Sequence, residues 1–144
     1  MILLIKVNEN KLHDEEFVRP VTDLIENFKV VYYKELEKDD IDKADKVIIC
    51  GTAMKDNEYL NNLDKFYWLK NFNKPVLGIC AGMQIIGKIF GRELVKDKKF
   101  GVFDNKYHLH SFKVKDVDKD NFTCYLFHPE VLNKELIRDF SRNI

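Results

Sequence analysis

The chain has 144 residues, of which 45% are hydrophobic, 12% aromatic and 33% charged, a composition that excludes intrinsic disorder and predicts a single domain over residues 1–144. Its 24 basic and 24 acidic residues cancel, so no basic surface is available for nucleic acid. The apolar runs are too short to cross a membrane and the N-terminus lacks a signal-peptide pattern, so we expect a cytoplasmic protein that binds neither membrane nor nucleic acid.

Apolar runs suited to strands alternate with stretches of helical periodicity as far as Gly91. The predicted strands are Ile2–Val7, residues 29–36, residues 46–50 and Pro75–Ile79. The predicted helices are Phe17–Phe28, Tyr59–Phe72 and Gly82–Phe90, the last ended by Gly91, while residues 39–45 read as an acidic connector and residues 51–59 as a polar loop. This alternation predicts βαβ units and a mostly parallel sheet with helices on both faces.

The pattern changes after Gly91. Residues 107–114 and 122–127 predict two β segments, which we expect to pair antiparallel as a small extension. A last helix is predicted from the helical spacing of apolar residues between Leu132 and Phe140. The predicted fold class is therefore α/β, with a mostly parallel sheet and a small antiparallel β extension.

Residues Gly78 to Gly82 have the form G-x-C-x-G between a predicted buried strand and a helix. This is the cysteine form of the nucleophile elbow, and glycine is needed two residues before and after Cys80 because a Cβ would collide with the tight turn. A helix N-terminus favours the thiolate, and the N–H of Ala81 is left to receive an oxyanion. The alternative for Cys80 is a small buried cysteine beside glycines that turn the chain.

A cysteine nucleophile needs a general base, and His128 follows the last predicted strand in the sequence His128-Pro129-Glu130. Open α/β sheets build their sites at the carboxyl ends of the strands, so we expect His128 and Cys80 at one edge. Glu130 is close enough along the chain to hold the imidazole. Taken alone, His128 suits a structural or surface role; the two motifs in chain order favour catalysis.

The other cysteines and histidines predict no further chemistry. Three cysteines without a C-x-x-C pair argue against a disulfide framework and a zinc site, and Cys50 and Cys124 are expected to be small buried residues. His108 and His110 would face one side of a strand, but no carboxylate or cysteine accompanies them at matching spacing. We therefore expect neither a metal nor a cofactor.

Two stretches resemble segments of class I, triad-type glutamine amidotransferase domains. Residues 75–91, PVLGICAGMQIIGKIFG, resemble the nucleophile segment G-x-C-x-G-x-Q, and residues 125–140, YLFHPEVLNKELIRDF, resemble the closing F-H-P-E segment and last helix. The order of β and α elements from Ile2 onward fits as well, so the resemblance covers nearly the whole chain. It implies a flavodoxin-like three-layer arrangement.

The resemblance also implies an enzyme in which a cysteine attacks the side-chain amide of glutamine, forms a γ-glutamyl thioester and releases ammonia to a separate synthase. By motif, Cys80 is the nucleophile, His128 the general base and acid, and Glu130 the orienting carboxylate. The residues implied to bind glutamine or its oxyanion are Gly51, Thr52, Ala81, Gln84 and Ser111. For Gln84, the alternative is an exposed helix residue.

Two features depart from the family pattern. The family's glycine-glycine-proline turn, whose backbone N–H is the second oxyanion donor, is replaced by CGTAM at residues 50–54. Since one oxyanion donor is worth about 10²–10³ in rate, turnover depends on how this loop presents its N–H groups. The 48 positions from Cys80 to His128 are also fewer than the family usually has, which shortens the pocket region.

Three functions are therefore open. The first, which the motifs favour, is a glutaminase that supplies ammonia to a separate synthase. The second is a free-standing γ-glutamyl hydrolase that uses the same triad and needs no partner. The third is a catalytically impaired relative that acts as a binding protein, since one fold hosts several functions.

Overall fold

The structure, a computed structural model, describes residues 1–53, 56–91, 94–96, 101–103, 106–108, 112–114, 122–125 and 134–142. The strands are β1 (Ile2–Lys6), β2 (Phe28–Tyr32), β3 (Lys46–Ile49), β4 (Val76–Ile79), β5 (Leu94–Lys96), β6 (Gly101–Phe103), β7 (Lys106–His108), β8 (Phe112–Val114) and β9 (Phe122–Tyr125). The helices are α1 (Asp14–Phe17), α2 (Arg19–Thr22), α3 (Lys38–Lys43), α4 (Ala81–Ile89) and α5 (Lys134–Arg142). Four 3₁₀ segments cover Lys11–His13, Tyr33–Glu35, Glu58–Asn61 and Leu63–Asn71.

Five strands form one parallel sheet in the order β2-β1-β3-β4-β9. The register places Ile5 of β1 between Val31 of β2 and Ile49 of β3, and Ile49 opposite Gly78 of β4. With β9 as its fifth strand, this order is that of flavodoxin-like folds. The predicted fold class is confirmed.

Apolar side chains cover both faces of this sheet, which explains why its central strands are apolar throughout. Leu3 and Ile5 point into one core, where the 3₁₀ segments between β3 and β4 and helix α4 pack. Ile2 and Leu4 point into the other core, where α2 and α5 pack. The sheet is therefore the middle of three layers, and loops at the ends of its strands are where side chains can meet a substrate.

The small antiparallel extension is present, but its predicted pairing is wrong. The strands β5 and β8 pair antiparallel, as do β6 and β7, so residues 107–114 contribute to two separate ribbons. Strand β9, in the second predicted segment, instead joins β4 in parallel. This placement pairs the edge of β4 that would otherwise be open, and unpaired strand edges are unfavourable.

Two predictions for the chain before β3, one of a helix and one of a connector, are also wrong. The stretch Phe17–Phe28 contains the end of α1 and all of α2, and Phe28 itself begins β2. Pro20 lies in the first turn of α2, and it separates α2 from α1 because it has no N–H and its ring would clash with the carbonyl of Glu16 in a continuous helix. The acidic connector is helix α3, which begins in a capping box where the Glu37 N–H donates to the Asp40 carboxylate at 3.0 Å.

The stretch Tyr59–Phe72 is helical as predicted, although it consists of 3₁₀ segments that begin at Glu58. Helix α4 begins at Ala81, and the chain leaves it through Gly91 at φ +73°. Across the part of the chain that is described, no helix combines the length and apolarity needed to cross a membrane.

Candidate active site

The carboxyl ends of the parallel strands meet at one edge of the sheet, the edge at which such folds bind ligands. Glu9 lies just beyond β1, Gly51 just beyond β3, and Cys80 directly follows β4. Three segments that are far apart in the sequence therefore converge at this edge. The sequence predicted two of them, the segments at Gly51 and Cys80.

Cys80 has a backbone conformation that side chains rarely adopt. It lies between β4 and α4 with φ 57° and ψ −106°, and the described residues contain only one other non-glycine residue with positive φ, Asn27. Such a conformation costs about 1–3 kcal/mol and persists only where the surroundings enforce it, most often at functional sites. The β4–α4 junction therefore has the strained geometry of a nucleophile elbow.

The flanking glycines are needed for close packing. A Cβ on Gly78 would lie 2.8 Å from the carbonyl carbon of Gly82, and a Cβ on Gly82 would lie 2.2 Å from the carbonyl oxygen of Ile49. Real Cβ atoms do not approach other atoms so closely. The elbow can form only with glycine at both positions, for the steric reason that the sequence indicated.

The start of α4 leaves backbone donors next to Cys80. The first intrahelical hydrogen bond runs from the Gln84 N–H to the Cys80 carbonyl at 3.1 Å. The N–H groups of the first turn, including that of Ala81, precede it and have no acceptor within the helix. This arrangement suits a negatively charged group bound beside residue 80.

Gly51 packs directly against Cys80. A Cβ on Gly51 would lie 2.9 Å from the Cβ of Cys80 and 3.5 Å from its Sγ. Thr52, the next residue, is 2% exposed. The loop after β3 is therefore in contact with the predicted nucleophile, and Cys80 itself is buried beneath it.

Gln84 is buried, which rules out an exposed helix position. The hydroxyl of Tyr59 donates a hydrogen bond to its Oε1 at 2.7 Å. Burial, with smaller contributions from the ionisable groups of Cys80 and Asp56, raises the pKa of Tyr59 above its ordinary value, so the phenol stays a neutral donor. Tyr59, the hydrogen-bond partner of a predicted site residue, was not singled out in the sequence, because nothing in a helical apolar pattern distinguishes it from a core residue.

A carboxylate network lies beside the loop. Asp56 Oδ2 accepts hydrogen bonds from the Thr52 hydroxyl at 2.8 Å and from the Glu9 N–H at 2.9 Å. The Glu9 carboxylate in turn accepts from the hydroxyls of Tyr32 and Tyr33. Burial, with the adjoining Glu9 charge, raises the pKa of both tyrosines, so they remain protonated donors. Asp56 and Glu9 were not singled out in the sequence, where they look like two charges in polar loops.

Other predicted site residues lie outside the described part of the chain. These are His128, Glu130 and Ser111. Strand β9, which precedes His128, runs parallel to β4 with Cys124 opposite Gly78 and Tyr125 opposite Ile79. The last described residue of β9 is therefore level with the residue before Cys80, at the same edge of the sheet.

Cys50 has the properties of a packing residue. It is buried, and burial together with the charge of Asp14 raises the pKa of its thiol far above the ordinary range. The thiol therefore stays protonated at neutral pH, as expected of a small buried cysteine. Among the described side chains, no three histidine, cysteine or acidic residues are grouped so that they could hold a metal ion.

Comparisons with known proteins bear on the chemistry of this edge. The family model "Glutamine amidotransferase class-I" matches residues 15–139. The chain is 38% identical over 65 residues to the imidazole glycerol phosphate synthase subunit HisH of Buchnera aphidicola subsp. Schizaphis graminum, a match that covers 44% of this chain and 32% of that protein. It is 32% identical over 65 residues to one subunit of the glutamine-hydrolysing GMP synthase of Thermoplasma acidophilum, with the same two coverages.

A solved structure is similar over nearly the whole chain. It is that of a putative component of GMP synthase from Thermoplasma acidophilum, with a TM-score of 0.71 and 23% sequence identity. The match covers 99% of this chain and 92% of that one. At this identity the likeness concerns the fold, while in sequence the chain spans about a third of the length of the curated relatives it matches.

Proposed function

Because this chain belongs to the class I glutamine amidotransferase family, we propose that it hydrolyses the side-chain amide of glutamine through a thioester on Cys80 and supplies the ammonia to a separate synthase. The observation that carries the proposal is the strained backbone of Cys80 at the β4–α4 junction, in contact with Gly51. A cysteine that served only packing would not need a positive φ between two sterically required glycines.

In the proposed reaction, His128 takes the thiol proton of Cys80, and the sulfur attacks the amide carbon of glutamine. The resulting oxyanion is stabilised by the Ala81 N–H and by an N–H of the Gly51–Thr52 segment. The C–N bond then breaks as His128 returns its proton to the leaving nitrogen, which departs as ammonia. Water, deprotonated by the same imidazole, hydrolyses the thioester to glutamate and restores Cys80.

The remaining residues orient the reacting groups. Glu130 would accept the second imidazole N–H and hold His128 in the required tautomer. Gln84 would line the glutamine pocket, and Ser111 would help to hold the amino-acid end of glutamine. The hydrogen bond from Tyr59 supports this role for Gln84, because it fixes a buried amide one turn along the helix from Cys80.

The names of the similar proteins support the proposal that this chain has a partner protein. One is called a subunit of imidazole glycerol phosphate synthase, and the other is named as one component of a glutamine-hydrolysing GMP synthase. Each name thus describes one part of a synthase that has more than one. By analogy, we propose that this chain also works with a synthase that accepts the ammonia.

A γ-glutamyl hydrolase that needs no partner is the second candidate. The observation that favours it is Thr52-Ala53 in place of the family's glycine-proline sequence, since a different loop beside the nucleophile suits a different substrate. Under this alternative, γ-glutamyl peptides would be hydrolysed faster than glutamine. The same loop also favours the third candidate, a binding protein in which Cys80 does no chemistry.

Labelling with a glutamine-like alkylating agent tests the proposal. Diazo-oxonorleucine is expected to modify Cys80 and to leave Cys50 and Cys124 unmodified, and excess glutamine should protect Cys80. Cys80→Ser should abolish both labelling and ammonia release from glutamine. Equal labelling of the three thiols, or labelling that glutamine does not slow, would contradict a glutamine site at Cys80.

A further inference from the structure

We propose that Asp56 is the positioning residue for the oxyanion-side loop, which we define as residues Gly51 to Ala53. This inference rests on the proposed function and deepens it. In the family pattern, a proline and two glycines shape the corresponding turn; here Thr52 and Ala53 replace the second glycine and the proline, and Asp56 is hydrogen-bonded to both. The expected consequence is that Asp56 controls the rate of thioester formation although it does not contact glutamine.

The contacts of Asp56 reach two consecutive residues of the loop. Its Oδ2 accepts a hydrogen bond from the Thr52 hydroxyl, and its own N–H donates to the Ala53 carbonyl at 2.9 Å. A side-chain bond and a backbone bond thus restrain the loop together. The Thr52 side chain is buried, so water does not compete for its hydroxyl as it would at an open surface.

The same oxygen attaches the loop to a different strand. The Glu9 N–H, just beyond the end of β1, donates to Asp56 Oδ2 at 2.9 Å. Glu9 is itself held by the Tyr33 hydroxyl at 2.9 Å and by the neighbouring Tyr32. The loop after β3 is therefore connected through Asp56 to the ends of β1 and β2, all at the edge of the sheet that carries Cys80.

The loop brings backbone N–H groups close to Cys80. A Cβ on Gly51 would lie 3.5 Å from the Cys80 sulfur, so the loop passes close to the predicted nucleophile. In the described residues, no backbone carbonyl accepts a hydrogen bond from the N–H of Gly51, Thr52 or Ala53. An N–H that must meet a developing charge works only if it is held in place before the reaction, and Asp56 supplies that restraint.

Three variants test this role in the full chain. Asp56→Ala removes the acceptor for Thr52 and Glu9, and kcat for ammonia release from glutamine should fall about 10²–10³-fold while KM changes less than about threefold. Asp56→Asn keeps a side-chain oxygen for both donors and should restore kcat to within about tenfold of the unchanged protein. Asp64→Ala is the matched control, because Asp64 is an exposed aspartate in the 3₁₀ segment Leu63–Asn71.

A second readout separates oxyanion stabilisation from damage to the nucleophile. Alkylation of Cys80 by iodoacetamide is a displacement in which no oxyanion forms, so its rate should agree within about twofold between Asp56→Ala and the unchanged protein. If iodoacetamide alkylation falls as far as kcat, the substitution has disturbed Cys80 itself and the proposal is wrong. Should Asp56→Ala fail to fold, Thr52→Val removes the hydroxyl donor at nearly constant volume and is expected to lower kcat about tenfold.

The failure of this inference differs from the failure of the proposed function. Glutamine hydrolysis by the unchanged chain with an unaltered kcat in Asp56→Ala and Thr52→Val would overturn only the role of Asp56. The absence of both glutamine hydrolysis and glutamine-protected labelling of Cys80 in the unchanged chain would overturn the proposed function, and the role of Asp56 with it.

Discussion

The two segments that meet at the Cys80 sulfur are built in opposite ways. The elbow, Gly78–Gly82, gets its shape from its own residues, since two glycines and a positive φ leave few other conformations. The oxyanion-side loop is held by hydrogen bonds from residues outside it, and Asp56 links it to Glu9, 47 positions away in the sequence. The conformation of the elbow is thus set by its own residues and tolerates few substitutions. The conformation of the loop depends on hydrogen bonds from other segments.

This difference between the elbow and the loop determines which of the two can change in sequence within a family. A glycine of the elbow cannot be replaced without a collision, whereas a loop supported from outside can change sequence if new supports replace the old ones. The Thr52–Asp56 hydrogen bond is such a support. The comparison between the elbow and the loop leads to four predictions, of which the first has the largest expected effect.

A methyl group in the elbow should be the most damaging change. Gly82→Ala places a Cβ 2.2 Å from the Ile49 carbonyl oxygen, so we expect the free energy of unfolding to fall by about 3 kcal/mol or more. Urea denaturation followed by circular dichroism measures this. Gly91→Ala is the control: apart from its chain neighbours, no atom of the described residues lies within 4 Å of that Cβ, and its φ of +73° opposes the change by about 1 kcal/mol. Equal losses for the two variants would contradict the local steric account.

Because the backbone at Cys80 is strained, glycine should be more stable than alanine at this position. Because φ is 57° at this position, we expect Cys80→Gly to be about 1–2 kcal/mol more stable than Cys80→Ala. At Cys50, whose φ is not positive, glycine should be less stable than alanine by about 0.5–1 kcal/mol. Denaturant unfolding of the four variants tests the prediction. If alanine is more stable than glycine at both positions, the backbone at Cys80 is not strained.

The segment after β3 should affect glutamine binding through Tyr59. Tyr59→Phe removes the buried donor to Gln84 Oε1 and keeps the ring, so KM for glutamine should rise about tenfold, which corresponds to about 1.4 kcal/mol. The value of kcat should change less than about twofold, since the sulfur and oxyanion donors are untouched. Tyr67→Phe is the control, because Tyr67 is 56% exposed. A fall in kcat without a change in KM would contradict a role in binding.

The smallest expected effect concerns Asp14, at the start of α1, which connects this helix to the end of β1. Its carboxylate accepts hydrogen bonds from Asn8 at 2.7 Å and from Lys6 at 2.9 Å. Burial opposes ionisation, but these two bonds outweigh it and hold the pKa of Asp14 below its ordinary value. A lowered pKa in the folded state means that the contribution to stability is present above the unfolded pKa of about 3.9 and is lost as the pH falls through the folded value.

Asp14→Asn should therefore cost less than about 1 kcal/mol at pH 7, since the pair is partly exposed to solvent. The difference from the unchanged protein should shrink as the pH falls below about 4. Thermal unfolding at about pH 7 and about pH 3 measures it. A difference that grows on acidification would mean that the carboxylate is not stabilised by its partners.

Much of the fold follows from periodicities that lie within short stretches of sequence. The four strands from β1 to β4, the helix after Cys80 and the steric need for glycine at positions 78 and 82 were all predicted, because each depends on neighbours a few residues away. The apolar spacing from Phe17 to Phe28 predicts one long helix instead, and this is wrong because α2 ends at Thr22 and Phe28 already begins β2. Pro20, in the first turn of α2, accounts only for the separation of α1 from α2.

The sequence by itself determined the layered α/β class, the elbow and the identity of the nucleophile candidate, since local sterics and apolar patterns specify them. Tertiary structure alone decided that β9 joins β4 in parallel, that Tyr59 holds Gln84 and that Asp56 connects the loop to β1. These contacts join side chains from separate strands and loops. The sequence pattern of a single segment does not predict these contacts, because a polar side chain meets its partner only when the sheet has brought the two chain segments together.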